Sequence, residues 1–153
     1  MTKNNQRKRG FELISQYADR TELLPKRETA FAAGYDIRAA ETVVIEPGEI
    51  ALVPTGVKAY MRENEVLFLF DRSSNPRKQG IVLTNSVGVI DHDYYNNENN
   101  EGHMFGQFTN ITDKPITIEV GTRIMQGVFQ EYLTTDDDDA TGVRTGGFGS
   151  TGK

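Results

Sequence analysis

Residues 66–70 read VLFLF, which in an extended chain sets Val66, Phe68 and Phe70 on one face and Leu67 and Leu69 on the other. That period of two predicts a strand. Outward from this stretch the same period returns at Val43 and Ile45, at Ile50 and Leu52, at Ile116, Ile118 and Val120, and at Ile124 and Val128 with Phe129. Pro25, Pro47, Pro54, Pro76 and Pro115 fall between the runs, and EPGE and VPTG read as turns. Segments therefore recur about every 8 to 12 residues, as in sandwiches and closed barrels. The expected class is all-β, with no helix longer than a turn or two. The best place for such a turn is Ser74 to Gln79, where a serine can cap it.

The 153 residues suit one domain, and 37% apolar content with 8 Phe and 6 Tyr supplies a core. Cysteine is absent, which excludes disulfides, thiolate metal sites and a cysteine nucleophile. A formal charge of -5 repels a nucleic-acid backbone on average, so no direct nucleic-acid binding is expected. The basic cluster KNNQRKR near the start reads as a solvated tail or a polyanion site, and residues 1–10 are expected to be flexible. No apolar run approaches the ~20 residues of a membrane span, and no apolar stretch of a secretory signal opens the chain. A cytoplasmic location without membrane contact is expected.

Two segments break the strand pattern. Residues 95–101, YNNENNE, suit an exposed hairpin tip. From Thr134 the chain reads TTDDDDATGVRTGGFGSTGK, acidic and glycine-rich, and it cannot build a core of its own. The expected division is a β domain over 1–135 and a linker with a lid over 136–153. Phe148, beside Arg144, Ser150 and Thr151, favours a lid over a plain linker. Glycines allow bending, hydroxyls and Arg suit phosphate oxygens, and a ring can stack.

Four constellations can carry chemistry, each with a structural alternative. AGYDIRAA (33–40) places Asp36 where a turn leads into a strand. RSSNPRKQGI (72–81) offers Arg72, Ser73 and Ser74 as an anion cradle, or as the cap of a helical turn. GVIDHDYYNN (88–97) delivers Asp91 at the end of an apolar strand, with Asp93 on the same side if the strand continues, and then Tyr94. A carboxylate at an apolar rim can act as general base on water, and Asp in a turn is equally ordinary. GTRIMQGVF (121–129) interrupts a core strand with Arg123 and Gln126, where surface ion pairing is the default for the arginine. His92 and His103 lack metal-site spacing and are expected at the surface. Serine-hydrolase, P-loop and Rossmann patterns are absent.

In this order, AGYDIRAA, RSSNPRKQG, GVIDHDY, GTRIMQ and RTGGFGSTG resemble the five motifs of the trimeric dUTP diphosphatases (dUTPases), across residues 33 to 152. The resemblance implies a jelly-roll-like β-barrel with a flexible glycine-rich C-terminal arm. It also implies a homotrimer whose three sites each draw on all three chains. Asp91 would activate water for attack on the α-phosphate of dUTP, releasing dUMP and diphosphate. Tyr94 would stack on the deoxyribose and exclude a 2′-hydroxyl, while Arg72, Ser73, Ser74 and Gln126 would hold phosphates. Asn85 and the backbone around Val89, Ile90 and Phe105 would line a uracil slot. Arg144, Phe148, Ser150 and Thr151 would close it from a neighbouring chain. Mg²⁺ would be bound by the phosphates and water, with Asp36 as an outer-sphere partner.

The chain departs from the family pattern in three places. Seven residues separate Tyr94 from Gly102 where D-x-D-Y-x-G is usual. Asp71 stands for a common proline, and Asn75-Pro76 for a frequent Leu-Ala. RTGGFG is one residue shorter than the usual R-G-x-G-G-F-G. Two alternatives remain. The related dCTP deaminases use a glutamate where this chain has Gln107, and an amide cannot take up a proton in its place. A regulatory protein partner could bind through the 95–101 insertion.

Overall fold

The computed structural model describes residues 6–147. Its strands are β1 (Gly10–Leu13), β2 (Tyr35–Arg38), β3 (Val43–Ile45), β4 (Ile50–Pro54), β5 (Val57–Tyr60), β6 (Glu65–Asp71), β7 (Ile81–Leu83), β8 (Val87–Asp91), β9 (Phe105–Asn110), β10 (Ile116–Ile118) and β11 (Arg123–Glu131). The remaining regular structure described is a five-residue helical turn, Asn75–Gln79, and single turns at Ser15–Tyr17, Thr21–Leu23 and His92–Tyr94. The all-β expectation holds.

β6, the strand of the VLFLF stretch, lies between β11 and β8 in a four-stranded sheet of order β2–β11–β6–β8. A second sheet runs β4–β9–β7, and the pairs β1–β5 and β10–β3 complete the barrel. The pairings among the described strands are antiparallel. β9 shows the period of two most plainly: Gly106, Phe108 and Asn110 are buried, while Phe105, Gln107 and Thr109 are half-exposed.

The core is where the inward faces meet. Leu67, Phe108, Ile37, Val53, Ile124 and Met125 are completely buried. Each large apolar side chain so enclosed contributes roughly 1.5–3 kcal/mol. The other face of β6 has no such cover. Phe68 and Phe70 are half-exposed there, with ring centroids 6.0 Å apart. They sit opposite Val89 and Val87 of β8, which are 57% and 37% exposed. Side chains paired directly across antiparallel strands share a face, so this sheet presents an apolar outer surface.

Two arginines of the basic cluster are engaged within the chain. Arg7 pairs with Glu12 at 3.0 Å and lies over the Tyr60 ring at 4.4 Å, and Arg9 pairs with buried Glu65 at 2.5 Å. The 95–101 segment is the exposed tip expected of it only in part: Asn96, Glu98 and Asn99 are exposed, Asn97 is buried, and Tyr95, Asn100 and Glu101 are half-buried. It folds back on the barrel: the buried Lys58 ammonium donates to Asn96 Oδ1 at 2.6 Å and pairs with Glu101 at 2.8 Å. Glu101 also accepts from Ser15 N at 3.0 Å, Tyr95 donates to Glu12, and Asn97 is buried. The polar composition suited a solvated loop, yet the side chains of Tyr95, Asn96, Asn97, Asn100 and Glu101 bond back onto the chain. His103, expected at the surface, is also buried. Its Nε2 accepts from Gly56 N at 2.9 Å, and its ring stands 5.7 Å from that of Tyr17.

Candidate functional site

β8 runs along the sheet and ends at Asp91, where the backbone turns through His92–Tyr94. This edge, the start of β9 and the end of the described chain enclose a cavity of about 270 Å³. Asn85, Val89, Ile90, Asp91, Tyr94, Phe105 and Arg144, all expected at a site, line it together with Leu69, Gly88 and Gly147. An apolar slot with a few polar groups at its rim is the usual build of a small-molecule site.

Asp91 stands at that rim with its side chain 48% exposed. Arg144 Nη2 donates to Asp91 Oδ2 at 2.6 Å, and Arg144 Nε to Asp93 Oδ1 at 2.7 Å. The two acids therefore do face one way, although a turn rather than a continued strand brings them there. Arg144, expected among phosphates, is held here by the carboxylates of its own chain. Tyr94 is buried, and burial raises its phenol above the usual range. Its hydroxyl donates to His103 O at 2.5 Å and accepts from Asn100 Nδ2 at 2.9 Å. The tail passes over the ring at Gly147, where a Cβ would sit 2.4 Å from Tyr94 Cε2, so only glycine fits.

The expected phosphate ligands form a second group. Arg72 Nη1 donates to Arg123 O at 3.0 Å. Ser73 is exposed and Ser74 half-exposed, and neither hydroxyl has a hydrogen-bond partner among the described residues. Ser74 does not cap the following turn through its side chain. Asp71 instead ties the turn to its neighbours: its carboxylate accepts from Arg72 N at 2.9 Å, from the Asn75 side chain through Nδ2 at 2.6 Å, and from Leu83 N of β7 at 2.9 Å. Asn75, itself buried, also donates to Ile124 O at 2.8 Å. Gln126 lies opposite Asp36 on the β2–β11 pair, and its Nε2 donates to Asp71 O at 3.3 Å. A Cβ on Gly34 of AGYDIRAA would meet Gln126 Oε1 at 2.5 Å and Cβ at 3.1 Å, so a larger residue there would displace the Gln126 side chain.

Within one chain the two groups stand apart. Asp91 pairs in register with Val66 at one end of β6, while Arg72 follows Asp71 at the other. The intervening strand spans about 20 Å at the ordinary rise per residue. Asp36 accepts from Arg123 at 3.4 Å, and Arg123 is also 3.5 Å from Glu28, the surface pairing expected of that arginine. No group of three acids or histidines able to cage a metal exists among the described residues. A single carboxylate, Asp36, opposite Gln126 on the β2–β11 pair fits Mg²⁺, which commonly binds through substrate phosphates and water and not through a protein cage. Phe148, Ser150 and Thr151 lie outside the described residues.

Asp71, Asn75, Asn100 and Lys58 escaped sequence reasoning. For Asp71 and Asn75 a signal existed, since both replace apolar residues of the family pattern beside the same turn. Asn100 had no comparable mark.

An antiparallel β-barrel with a carboxylate at the mouth of a small slot, and Arg72, Ser73 and Ser74 grouped elsewhere on the chain, has the build of an all-β protein with a small-molecule site. The family model described as dUTPase matches residues 21–152, and the chain belongs to that family. It is 60% identical over 146 residues to the deoxyuridine 5′-triphosphate nucleotidohydrolase of Lactococcus lactis, covering 94% of this chain and 97% of that one. The crystal structure of a dUTPase from Streptococcus mutans is 64% identical with a TM-score of 0.81, covering 83% of this chain and 98% of that one. A mutant dUTPase from phage phi11 of S. aureus, described with a coordinated structural Mg(II) ion, matches in fold alone. That likeness is 23% in identity with a TM-score of 0.69, over 86% of this chain and 95% of that one.

Proposed function

We propose that this chain hydrolyses dUTP to dUMP and diphosphate. The observation that carries the reading is the single cavity that gathers Asn85, Val89, Ile90, Asp91, Tyr94 and Phe105. Backbone donors and acceptors along β8 and at Phe105, with the amide of Asn85, suit a uracil edge. Such fixed groups reject cytosine by leaving its amino group facing a donor. Tyr94 lies against the sugar. Asp91 takes a proton from water as the oxygen attacks the α-phosphorus, and the bond from that phosphorus to the bridging oxygen breaks to release diphosphate. Arg72, Ser73, Ser74 and Gln126 hold the phosphate oxygens. Arg144 can do so only by leaving Asp91, which frees the base at the same moment. Bound Mg²⁺ would neutralise phosphate charge, with Asp36 positioned to hold one of its waters.

The separation of Asp91 from Arg72 favours sites shared between chains, and the apolar outer face of β6 and β8 suits burial against a second copy. A homotrimer satisfies both. The barrel is taken as residues 1–135, and the linker with its lid as 136–153. Phe148, Ser150 and Thr151 would complete the lid over a neighbour. No helix among the described residues is long and apolar enough to cross a membrane, and a cytoplasmic place is proposed. Deamination of dCTP is disfavoured, because Gln107 lies on β9 outside the lining of the cavity. A regulatory protein partner at 95–101 is a second reading, favoured by the exposure of Asn96, Glu98 and Asn99.

Purified protein assayed against dUTP and the four ordinary dNTPs, with and without Mg²⁺, tests the main reading. Formation of dUMP and diphosphate from dUTP alone is expected. Conversion of dCTP to dUTP, or no turnover of dUTP, overturns it.

A further inference from the structure

The 95–101 insertion ends on the one ring that the proposed reaction uses to choose its sugar. Tyr94 is fixed at its hydroxyl by two hydrogen bonds, one given to His103 O at 2.5 Å and one received from Asn100 Nδ2 at 2.9 Å. Asn100 is itself held from behind, its Oδ1 accepting from Asn97 Nδ2 at 2.8 Å and from Gly102 N at 3.1 Å. Asn97 is buried, donates to Tyr94 O at 2.8 Å, and accepts from Asn99 N at 3.0 Å and Asn100 N at 3.1 Å. At the base of the segment Lys58 binds both Asn96 and Glu101. The amides of Asn97 and Asn100 thus form a relay from the insertion to the phenol, and the buried ring cannot pivot without breaking it.

We propose that Asn97 and Asn100 are positioning residues that hold the Tyr94 ring against the sugar, so that the insertion sets discrimination between dUTP and UTP. This rests on the reading of Tyr94 as the wall that excludes a 2′-hydroxyl. A hydroxyl differs from hydrogen by one oxygen, and a ring displaced by a fraction of an ångström admits it; such walls must be supported to about 0.5 Å.

Asn100→Asp isolates the contact. An aspartate oxygen still accepts from Asn97 and Gly102 but cannot donate, so Tyr94 keeps one hydrogen bond in place of two, its single proton going either to His103 O or to the new carboxylate. Tyr94→Phe removes the Asn100 bond from the ring side together with the one given to His103 O, and so gives a second reading if the first variant folds poorly. Tyr94→Ala removes the wall. The measurement is the ratio of kcat/KM for dUTP to that for UTP, with thermal melting alongside. Expected are a fall in the ratio of about fivefold or more in Asn100→Asp and Tyr94→Phe, the size of one lost hydrogen bond. A near-complete loss is expected in Tyr94→Ala. If Tyr94→Ala loses discrimination while Asn100→Asp and Tyr94→Phe keep the parent ratio, the positioning role is overturned and the reading of Tyr94 survives. If Tyr94→Ala keeps the parent ratio, that reading falls, and this inference with it.

Discussion

Arg144 closes on Asp91 at 2.6 Å and reaches Asp93 with its other edge at 2.7 Å, so one guanidinium spans both acids at the mouth of the cavity. The ion pair takes up one acceptor site of the Asp91 carboxylate and draws its charge toward the guanidinium, which weakens it as a base. In the proposed reaction Arg144 would exchange Asp91 for phosphate oxygens, which offer it more charge.

Replacing Asp91 by Asn keeps the size of the side chain and removes its ability to accept a proton. Turnover of dUTP should fall at least ~10²-fold, the lower range for a positioned base. Nucleotide affinity and melting temperature should change little, because Asp91 is half-exposed and outside the core. Steady-state kinetics beside equilibrium binding will show this, and near-normal turnover would remove Asp91 from the role.

Ending the chain after Thr135 removes Arg144 and all that follows, yet takes nothing from the strands, the last of which closes at Glu131. The oligomer should persist in light scattering while most activity is lost. Retained activity would mean that the arm takes no part in the site.

How much of this could be read from sequence follows from where each residue finds its partners. The strand at VLFLF was legible because the period of two is local. Its lack of cover on one side was not, since both faces are equally apolar. Asp91 and Tyr94 stand out because a strand delivers them in sequence. Asp71 looked like a mere departure from pattern, as Leu83 and the Asn75 side chain meet it only once the turn has formed. The same holds for Lys58 and Glu101, which are distant in sequence and joined at 2.8 Å. His103 was misplaced because one histidine carries no periodicity, and only the close packing of Tyr17 and Gly56 reveals its burial.

Burial lowers the His103 imidazole from its ordinary 6.5 to about 4, although Glu41 and Glu101 nearby pull the other way. The folded chain therefore holds His103 neutral where the unfolded chain would bind a proton. This contribution to stability is complete above about pH 6.5 and is lost as pH falls toward 4, on the order of 3 kcal/mol in all. His103→Gln keeps an acceptor within reach of Gly56 N and cannot titrate. Melting temperatures compared between pH 7 and pH 5 should fall less in the variant than in the parent, and equal slopes would show that His103 is not the group responsible.

Sharing of sites between chains makes a prediction that a self-contained monomer cannot satisfy. Asp91 and Arg72 sit at opposite ends of β6, so in a shared site the base comes from one copy and the phosphate cradle from another. Asp91→Asn and Arg72→Ala should each be nearly inactive alone, in particles of about three times the 17.1 kDa chain. When the two are unfolded together and refolded as a mixture, some sites combine an intact Asp91 with an intact Arg72, and activity should return well above the sum of the two variants. Mixing without refolding should restore little if the oligomer exchanges slowly. Should co-refolding restore nothing while mass measurement confirms mixed oligomers, the base and the cradle must serve one another within a single chain, and the arrangement proposed here is wrong.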